Sequence, residues 1–235
     1  MKEKTAGILG GMGPEATIDL MRRILAATEA QDDADHVHCI VDNNPKIPSR
    51  IKALIEKTGE SPAPCLADMA RGLEAWGADF LCIPCNTAHH YYPDVQKAVR
   101  IPVLNMIELT AQAAARLVPG GLVGIAASPA VRLTALYDKP CAAHGLRVLY
   151  ADAANEENLL RVIRQVKAGK TGAEVSAAFG LSLRHLAEQG ADVLVVACTE
   201  LGILDVPDGL RVLDAAQVLA QGVVDMAKGR MPRGC

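Results

Sequence analysis

Aromatic residues are scarce in this chain, 3% of 235, and positive charge is not in excess: 24 Lys and Arg stand against 27 Asp and Glu, a formal net charge of −3. A nucleic-acid surface needs a basic stripe, usually with rings for stacking, so that class is excluded. Long apolar runs are also missing. None approaches the roughly 18 residues that a membrane span requires, and Glu15 follows only a short apolar stretch, unlike a secretory leader. A cytoplasmic protein is expected, with no membrane partner. The seven cysteines are odd in number and scattered, which suits reduced thiols better than a disulfide framework. No low-complexity linker divides the chain.

Half of the residues are hydrophobic, enough for a substantial core. Short β-rich runs alternate with helical patterns. Strands are predicted at Thr5–Leu9, His38–Asp42, Ala78–Pro84, Val103–Asn105, Gly121–Ala126, Arg147–Ala151, Asp192–Ala197 and Arg211–Asp214. Helices are predicted at Pro14–Thr28, Leu66–Trp76, Glu108–Leu117, Glu156–Lys167 and Val175–Gln189. Such alternation predicts an α/β fold of parallel strands with helices on both faces.

One segment is written twice. Gly77-Ala78-Asp79-Phe80-Leu81 leads to Cys85, and Gly190-Ala191-Asp192-Val193-Leu194 leads to Cys198, with 198 − 85 = 190 − 77 = 113. Two similar halves follow: residues 1–105, completed by 211–235, and residues 106–210. In open parallel sheets ligands bind beyond the carboxyl ends of strands, where both cysteines stand, so a site in the cleft between the halves is expected.

Cys82-Ile83-Pro84-Cys85 has redox spacing, but alternation along a strand points its two thiols apart, and Cys82 reads as a buried core residue. A zinc set of Cys82, Cys85 and His89 or His90 lacks a second cluster; no metal is expected. Gly11-Met12-Gly13 followed by Ala16 meets a dinucleotide fingerprint, with Asp42 as a ribose ligand, so a nucleotide-binding oxidoreductase is the rival reading. Against it, Pro14 removes an amide at the helix start and the second half has no such loop. The alternative is a tight turn, with Met12, bordering a pocket.

Cys85 precedes Asn86 and Thr87, and Cys198 precedes Thr199; all three are groups that cap helices. A helix start offers amides that lower a thiol pKa and hold a carboxylate. Two such thiols suit removal of a proton from one face of an α-carbon and its return to the other, with no cofactor.

The segments Gly7-Ile8-Leu9-Gly10-Gly11-Met12-Gly13-Pro14, Asn43-Asn44-Pro45 through Ile47-Pro48 and Arg50, Pro84-Cys85-Asn86-Thr87-Ala88-His89 and Ala197-Cys198-Thr199-Glu200-Leu201 resemble the aspartate/glutamate racemase superfamily, and within it the cofactor-independent aspartate racemases. The resemblance implies two pseudo-symmetric Rossmann-like halves and a homodimer acting on a small amino acid. It also implies Cys85 and Cys198 as the acid/base pair, with Asn86, Thr87 and Thr199 gripping the α-carboxylate and amino group. Arg50 and Lys167 match basic residues near the substrate's side-chain carboxylate. Read by themselves, both are ordinary surface cations, and His89 is either a helix residue or a group that orients a thiol. Where related racemases carry a Thr-Gly-Thr type run, this chain reads Ala127-Ser128-Pro129-Ala130-Val131. Ser128 replaces one hydroxyl; Pro129 and Val131 offer none. Aspartate, glutamate and another amino acid therefore all stay open as substrate.

Overall fold

The paired Gly-Ala-Asp segments make the same turn twice in the computed structural model, which describes residues 3–230. Gly77 and Gly190 adopt positive φ, 106° and 91°, a conformation that glycine reaches without a Cβ clash. Each aspartate then laces its strand to a neighbour. The Asp79 amide donates to the Thr5 carbonyl at 2.8 Å, and the Thr5 amide returns a bond to the Asp79 carboxylate at 2.7 Å. Asp192 repeats both bonds with Leu122, also at 2.8 and 2.7 Å.

The elements in chain order are β1 (Ala6–Gly10), α1 (Pro14–Ala27), β2 (Cys39–Asn43), α2 (Ala63–Ala75), β3 (Phe80–Cys82), α3 (Tyr92–Ala98), α4 (Met106–Leu117) and β4 (Leu122–Ala127). They continue with α5 (Pro129–Leu133), α6 (Asp138–Ala143), β5 (Arg147–Tyr150), α7 (Ala153–Lys167), α8 (Ala173–Glu188), β6 (Val193–Ala197), β7 (Val212–Asp214) and α9 (Ala215–Ala227). One sheet has the order β2-β1-β3 and the other β5-β4-β6-β7, all pairings parallel. This is the expected α/β class. The central strands are apolar along their whole length because helices cover both faces of a parallel sheet; all five residues of β1 and of β6 are buried.

Two compact units divide the chain, one comprising Met1–Met106 with Gln217–Cys235 and one comprising Ile107–Ala216. Of the segment 211–235 expected in the first half, Gln217 onward falls in the first unit. The strand does not, since β7 pairs with β6 through Leu194, Val195 and Val196. The reason is local: the strand that follows β6 lies beside it, as the segment that follows β3 lies beside β3. There the expected strand at Val103–Asn105 is reduced to one bridge, Leu81 to Val103. Pro102 accepts from the Leu81 amide at 2.9 Å but has no N–H to extend the ladder.

The helices carry the residue types that form them. Asp152 caps α7 by accepting the Asn155 amide at 2.9 Å, and Leu159, Val162, Ile163 and Val166 form its buried stripe. Lys167 is the last residue of that helix.

Candidate active site

In the first unit the site is built at the ends of β1 and β3. Their register pairs Ile8 with Cys82, so three residues further on the chain reaches Gly11 on one side and Cys85 on the other. Cys85 follows Pro84, is 7% exposed, and bonds its amide to the Ile83 carbonyl at 2.8 Å. Asn86 is buried beside it, and Thr87 opens a short 3₁₀ turn, Thr87–Tyr91, that leads into α3. The expected capped helix start takes another form: a 3₁₀ turn of five residues precedes α3, and the Asn86 side chain makes no capping bond.

His89 lies in that turn, fully enclosed, with Nδ1 2.9 Å from the Cys85 carbonyl and Nε2 accepting the Met106 amide at 3.0 Å. A neutral imidazole has one donor and one acceptor nitrogen, so Nδ1 carries the hydrogen and donates to Cys85. Burial pushes the His89 pKa down to about 4, against the opposing pull of the Cys85 and Leu104 carbonyls. With both nitrogens engaged, His89 is not disposed as a metal ligand. Among the described residues no three His, Cys, Asp or Glu side chains gather as a metal-binding group.

Cys82 is fully buried in the core of the sheet, and burial drives its thiol pKa far up. It is not an accessible redox partner; among the described residues Cys82 and Cys85 are both free thiols.

The glycine turn is filled by the protein itself. A Cβ on Gly11 would lie 2.1 Å from the Asn44 carbonyl oxygen, and one on Gly10 would lie 2.5 Å from Thr17. The Gly11 amide donates to the Thr17 hydroxyl at 2.9 Å. In a dinucleotide site such glycines admit a pyrophosphate; here the close approach is to Asn44 and Thr17. Met12 is buried, 1% exposed, packed in the same apolar cluster as Ile47, Cys85 and Tyr91.

Arg50 starts the helical segment that continues as a π-helical turn, Lys52–Glu56. Its guanidinium donates to the Pro48 carbonyl at 2.9 Å and is partly exposed. Burial raises the Tyr91 hydroxyl pKa while the Arg50 charge opposes that rise, which places Arg50 within electrostatic reach of the turn after Cys85.

The second unit builds its site at the ends of β4 and β6. Ala127 pairs with Ala197, so the next residues, Ser128 and Cys198, emerge from neighbouring strands at a spacing of about 5 Å. The Ser128 hydroxyl accepts the Ala130 amide at 3.2 Å and caps α5, and its O–H is the one side-chain donor in the altered segment; Val131 is fully buried. Cys198 is 8% exposed and Thr199 2%. The Cys198 thiol donates to Glu200 Oε2 at 3.1 Å, and the other oxygen of Glu200 is paired with the Lys167 ammonium. After Glu200 comes a 3₁₀ turn, Leu201–Ile203, in place of an α-helix.

The structure thus gathers Met12, Asn86 and Thr87 around Cys85, and Ser128, Thr199 and Lys167 around Cys198. Glu200 was assigned no role from sequence. The signal was its place two residues after Cys198, across a turn that folds the side chain back onto the sulfur.

The model for the Asp/Glu/hydantoin racemase family matches residues 9–223. The chain is 28% identical over 228 residues to the broad specificity amino-acid racemase RacX of Bacillus subtilis (strain 168), covering 93% of this chain and 96% of that protein. Among solved structures, Picrophilus torridus aspartate racemase superposes with a TM-score of 0.83 at 27% identity, over 96% of this chain and 94% of that one. Glutamate racemase isoform RacE1 from Bacillus anthracis shares the fold alone, with a TM-score of 0.66 at 18% identity over 98% and 84% of the two chains. Matched from residue 9 to residue 223, the chain belongs to the Asp/Glu/hydantoin racemase family.

Proposed function

We propose that this protein is a cofactor-independent amino-acid racemase that interconverts L- and D-aspartate, with Cys85 and Cys198 as the two proton-transfer groups. The observation that carries the reading is the equivalence of the two thiols. Each follows the strand that pairs with the first strand of its unit, β3 beside β1 and β6 beside β4; the order β2-β1-β3 matches β5-β4-β6, to which the second sheet adds β7. Racemisation needs an acid and a base acting on opposite faces of one carbon, and a duplicated fold supplies two such groups from one design. In each turnover one sulfur, as thiolate, takes the α-proton and the other, as thiol, delivers a proton to the carbanion. The reverse reaction exchanges their roles.

In this reading Asn86, Thr87 and Thr199 hold the α-carboxylate and amino group, Met12 and Ser128 border the substrate, and Arg50 takes the side-chain carboxylate. Arg50 suits that role because its planar fork binds a carboxylate through two bonds. The likeness to a broad specificity racemase makes neutral amino acids the second class to test. The experiment incubates purified, reduced protein with separate L- and D-amino acids, without added cofactor, and follows circular dichroism. Loss of signal is expected fastest for aspartate. Turnover that requires added pyridoxal phosphate, or none for any amino acid, rejects the proposal.

A further inference from the structure

The chain has 4 tyrosines, and all but one engage their hydroxyl within the protein. Tyr92 donates to the Val103 carbonyl at 3.2 Å, Tyr150 donates to the Asp138 carboxylate, and Tyr137 is bonded to Thr110. The Tyr91 hydroxyl makes no hydrogen bond to any described residue, although the residue is only 7% exposed. A buried phenol ordinarily finds a partner. The ring itself is held: it meets His90 edge-on with centroids 4.9 Å apart, and it belongs to the apolar cluster that contains Met12, Ile47 and Cys85. The oxygen is not sealed in with the ring and reaches solvent.

Arg50 stands in a like condition. It follows Ile47, a member of the same cluster, by three residues. Its guanidinium gives one bond to the Pro48 carbonyl and pairs with no carboxylate among the described residues. Burial raises the Tyr91 pKa and the Arg50 charge opposes that rise, with Asp94 adding to it. Beside a cation a phenol turns its lone pairs toward the charge and its O–H away, so both groups present donors.

We infer that Tyr91 is a specificity-determining residue, its hydroxyl joining the Arg50 guanidinium in receiving a carboxylate on the substrate's side chain. The inference rests on the racemase reading and extends its side-chain subsite by one residue. Arg50 supplies charge and a planar fork, and Tyr91 supplies a single directed O–H to a carboxylate oxygen, which has lone pairs for more than one donor. An apolar side chain offers no acceptor. It would strip water from the hydroxyl without replacing the bond, which costs binding energy. The hydroxyl therefore selects against apolar side chains as well as for acidic ones.

Tyr91→Phe is the variant that tests this, since it removes the oxygen and keeps the ring. The oxygen bonds nothing within the described protein, so Tm should be unchanged; a clear fall would show that the protein itself holds the hydroxyl and overturn the inference. Calorimetry of full-length, reduced protein with succinate and with butyrate then reads binding without turnover, the first ligand carrying a second carboxylate that the other lacks. Succinate should bind the wild type, and its Kd should rise about tenfold or more in Tyr91→Phe, as for loss of a hydrogen bond to a charged group. Butyrate should show no difference between the two proteins. No succinate binding to the wild type, an unchanged succinate Kd in the variant, or an equal loss for butyrate overturns the inference.

Kinetics supply the second arm. In Tyr91→Phe the KM for aspartate should rise about tenfold with kcat largely kept, because the phenol touches the side chain and not the α-carbon. A fall in kcat at constant KM overturns the assignment to the side chain. A wild type that binds succinate and racemises no amino acid would reject the racemase reading, and the calorimetry would still decide whether Tyr91 holds a carboxylate.

Discussion

His89 and Cys85 are joined through the backbone, not through the sulfur: the His89 Nδ1–H donates to the Cys85 carbonyl at 2.9 Å, while Nε2 takes the Met106 amide at 3.0 Å. One ring therefore ties the residue bearing the thiol to the first residue of α4. The arrangement sets where Cys85 lies without sharing its proton. A side chain that touched the sulfur would tune its acidity; one that holds the carbonyl tunes its position.

Replacing His89 by Ala should therefore reduce stability and activity together. The substitution leaves a buried carbonyl and a buried amide without their partner, at about 1–3 kcal/mol for each group. For a chain of this length that corresponds to a fall in Tm of roughly 5–20 °C. At a temperature where the variant remains folded, kcat should drop with little change in KM if Cys85 is one of the two proposed proton-transfer groups, because its thiol is displaced and substrate contacts are not. An unchanged Tm would show that the imidazole is not the clamp described.

The same residue gives a pH signature. Burial lowers the folded-state pKa of His89 from 6.5 to about 4. Above pH 6.5 both folded and unfolded forms are neutral, and the group contributes nothing to the pH dependence. Between 6.5 and 4 the unfolded chain binds a proton that the folded one does not, so stability falls as the pH falls. The loss is of order 2 kcal/mol at pH 5 and about 3 kcal/mol at most. Urea unfolding of wild type and His89→Gln at pH 7.5 and pH 5 measures it. The wild type should lose more stability across that interval than the variant, whose amide does not titrate; equal losses would place the pH dependence elsewhere.

Much of this fold is legible because its signals are local. Short apolar runs between glycines give the strands. The repeated Gly77-Ala78-Asp79 and Gly190-Ala191-Asp192 runs announce two similar halves, whereas the positive φ of the two glycines and the aspartate bonds to the Thr5 and Leu122 amides are visible only in the structure. What escaped are contacts between distant segments. Lys167 and Glu200 lie 33 residues apart in sequence, and nothing in the spacing of either marks the pair; only the end of α7 brings the ammonium to the turn after β6. The turn after each cysteine was legible as a break, but its 3₁₀ geometry was not, since Thr and Asn suit either helix start. β7 was placed in the first half because it comes late in the chain, whereas a strand joins the sheet whose edge is open beside it.

For Arg50 the expected outcome concerns substrate choice. If its guanidinium holds the side-chain carboxylate, Arg50→Lys replaces a planar two-bond fork by a point charge. Turnover of aspartate, as kcat/KM, should fall by about tenfold or more, corresponding to the loss of a charged hydrogen bond worth about 1.5–3 kcal/mol. A neutral amino acid should be affected much less. Equal losses for both substrates would remove Arg50 from the specificity site and leave its bond to the Pro48 carbonyl as a loop-ordering contact.

The two-base proposal is tested most directly by Cys85→Ala and Cys198→Ala made separately. Every turnover needs a base on one face of the α-carbon and an acid on the other, so loss of either thiol should abolish racemisation in both directions. Exchange of the α-proton with solvent makes a smaller demand. A single remaining thiol can remove the proton from the enantiomer it faces and return deuterium from D₂O to the same face, with no inversion. The two variants should therefore retain slow exchange with opposite enantiomers, at rates reduced by roughly two or more orders of magnitude because one acid/base partner is missing. Proton NMR of the α-position, read for each pure enantiomer of aspartate, resolves exchange from inversion. If either variant racemises near the wild-type rate, or if both exchange the same enantiomer, Cys85 and Cys198 do not act on opposite faces of one carbon.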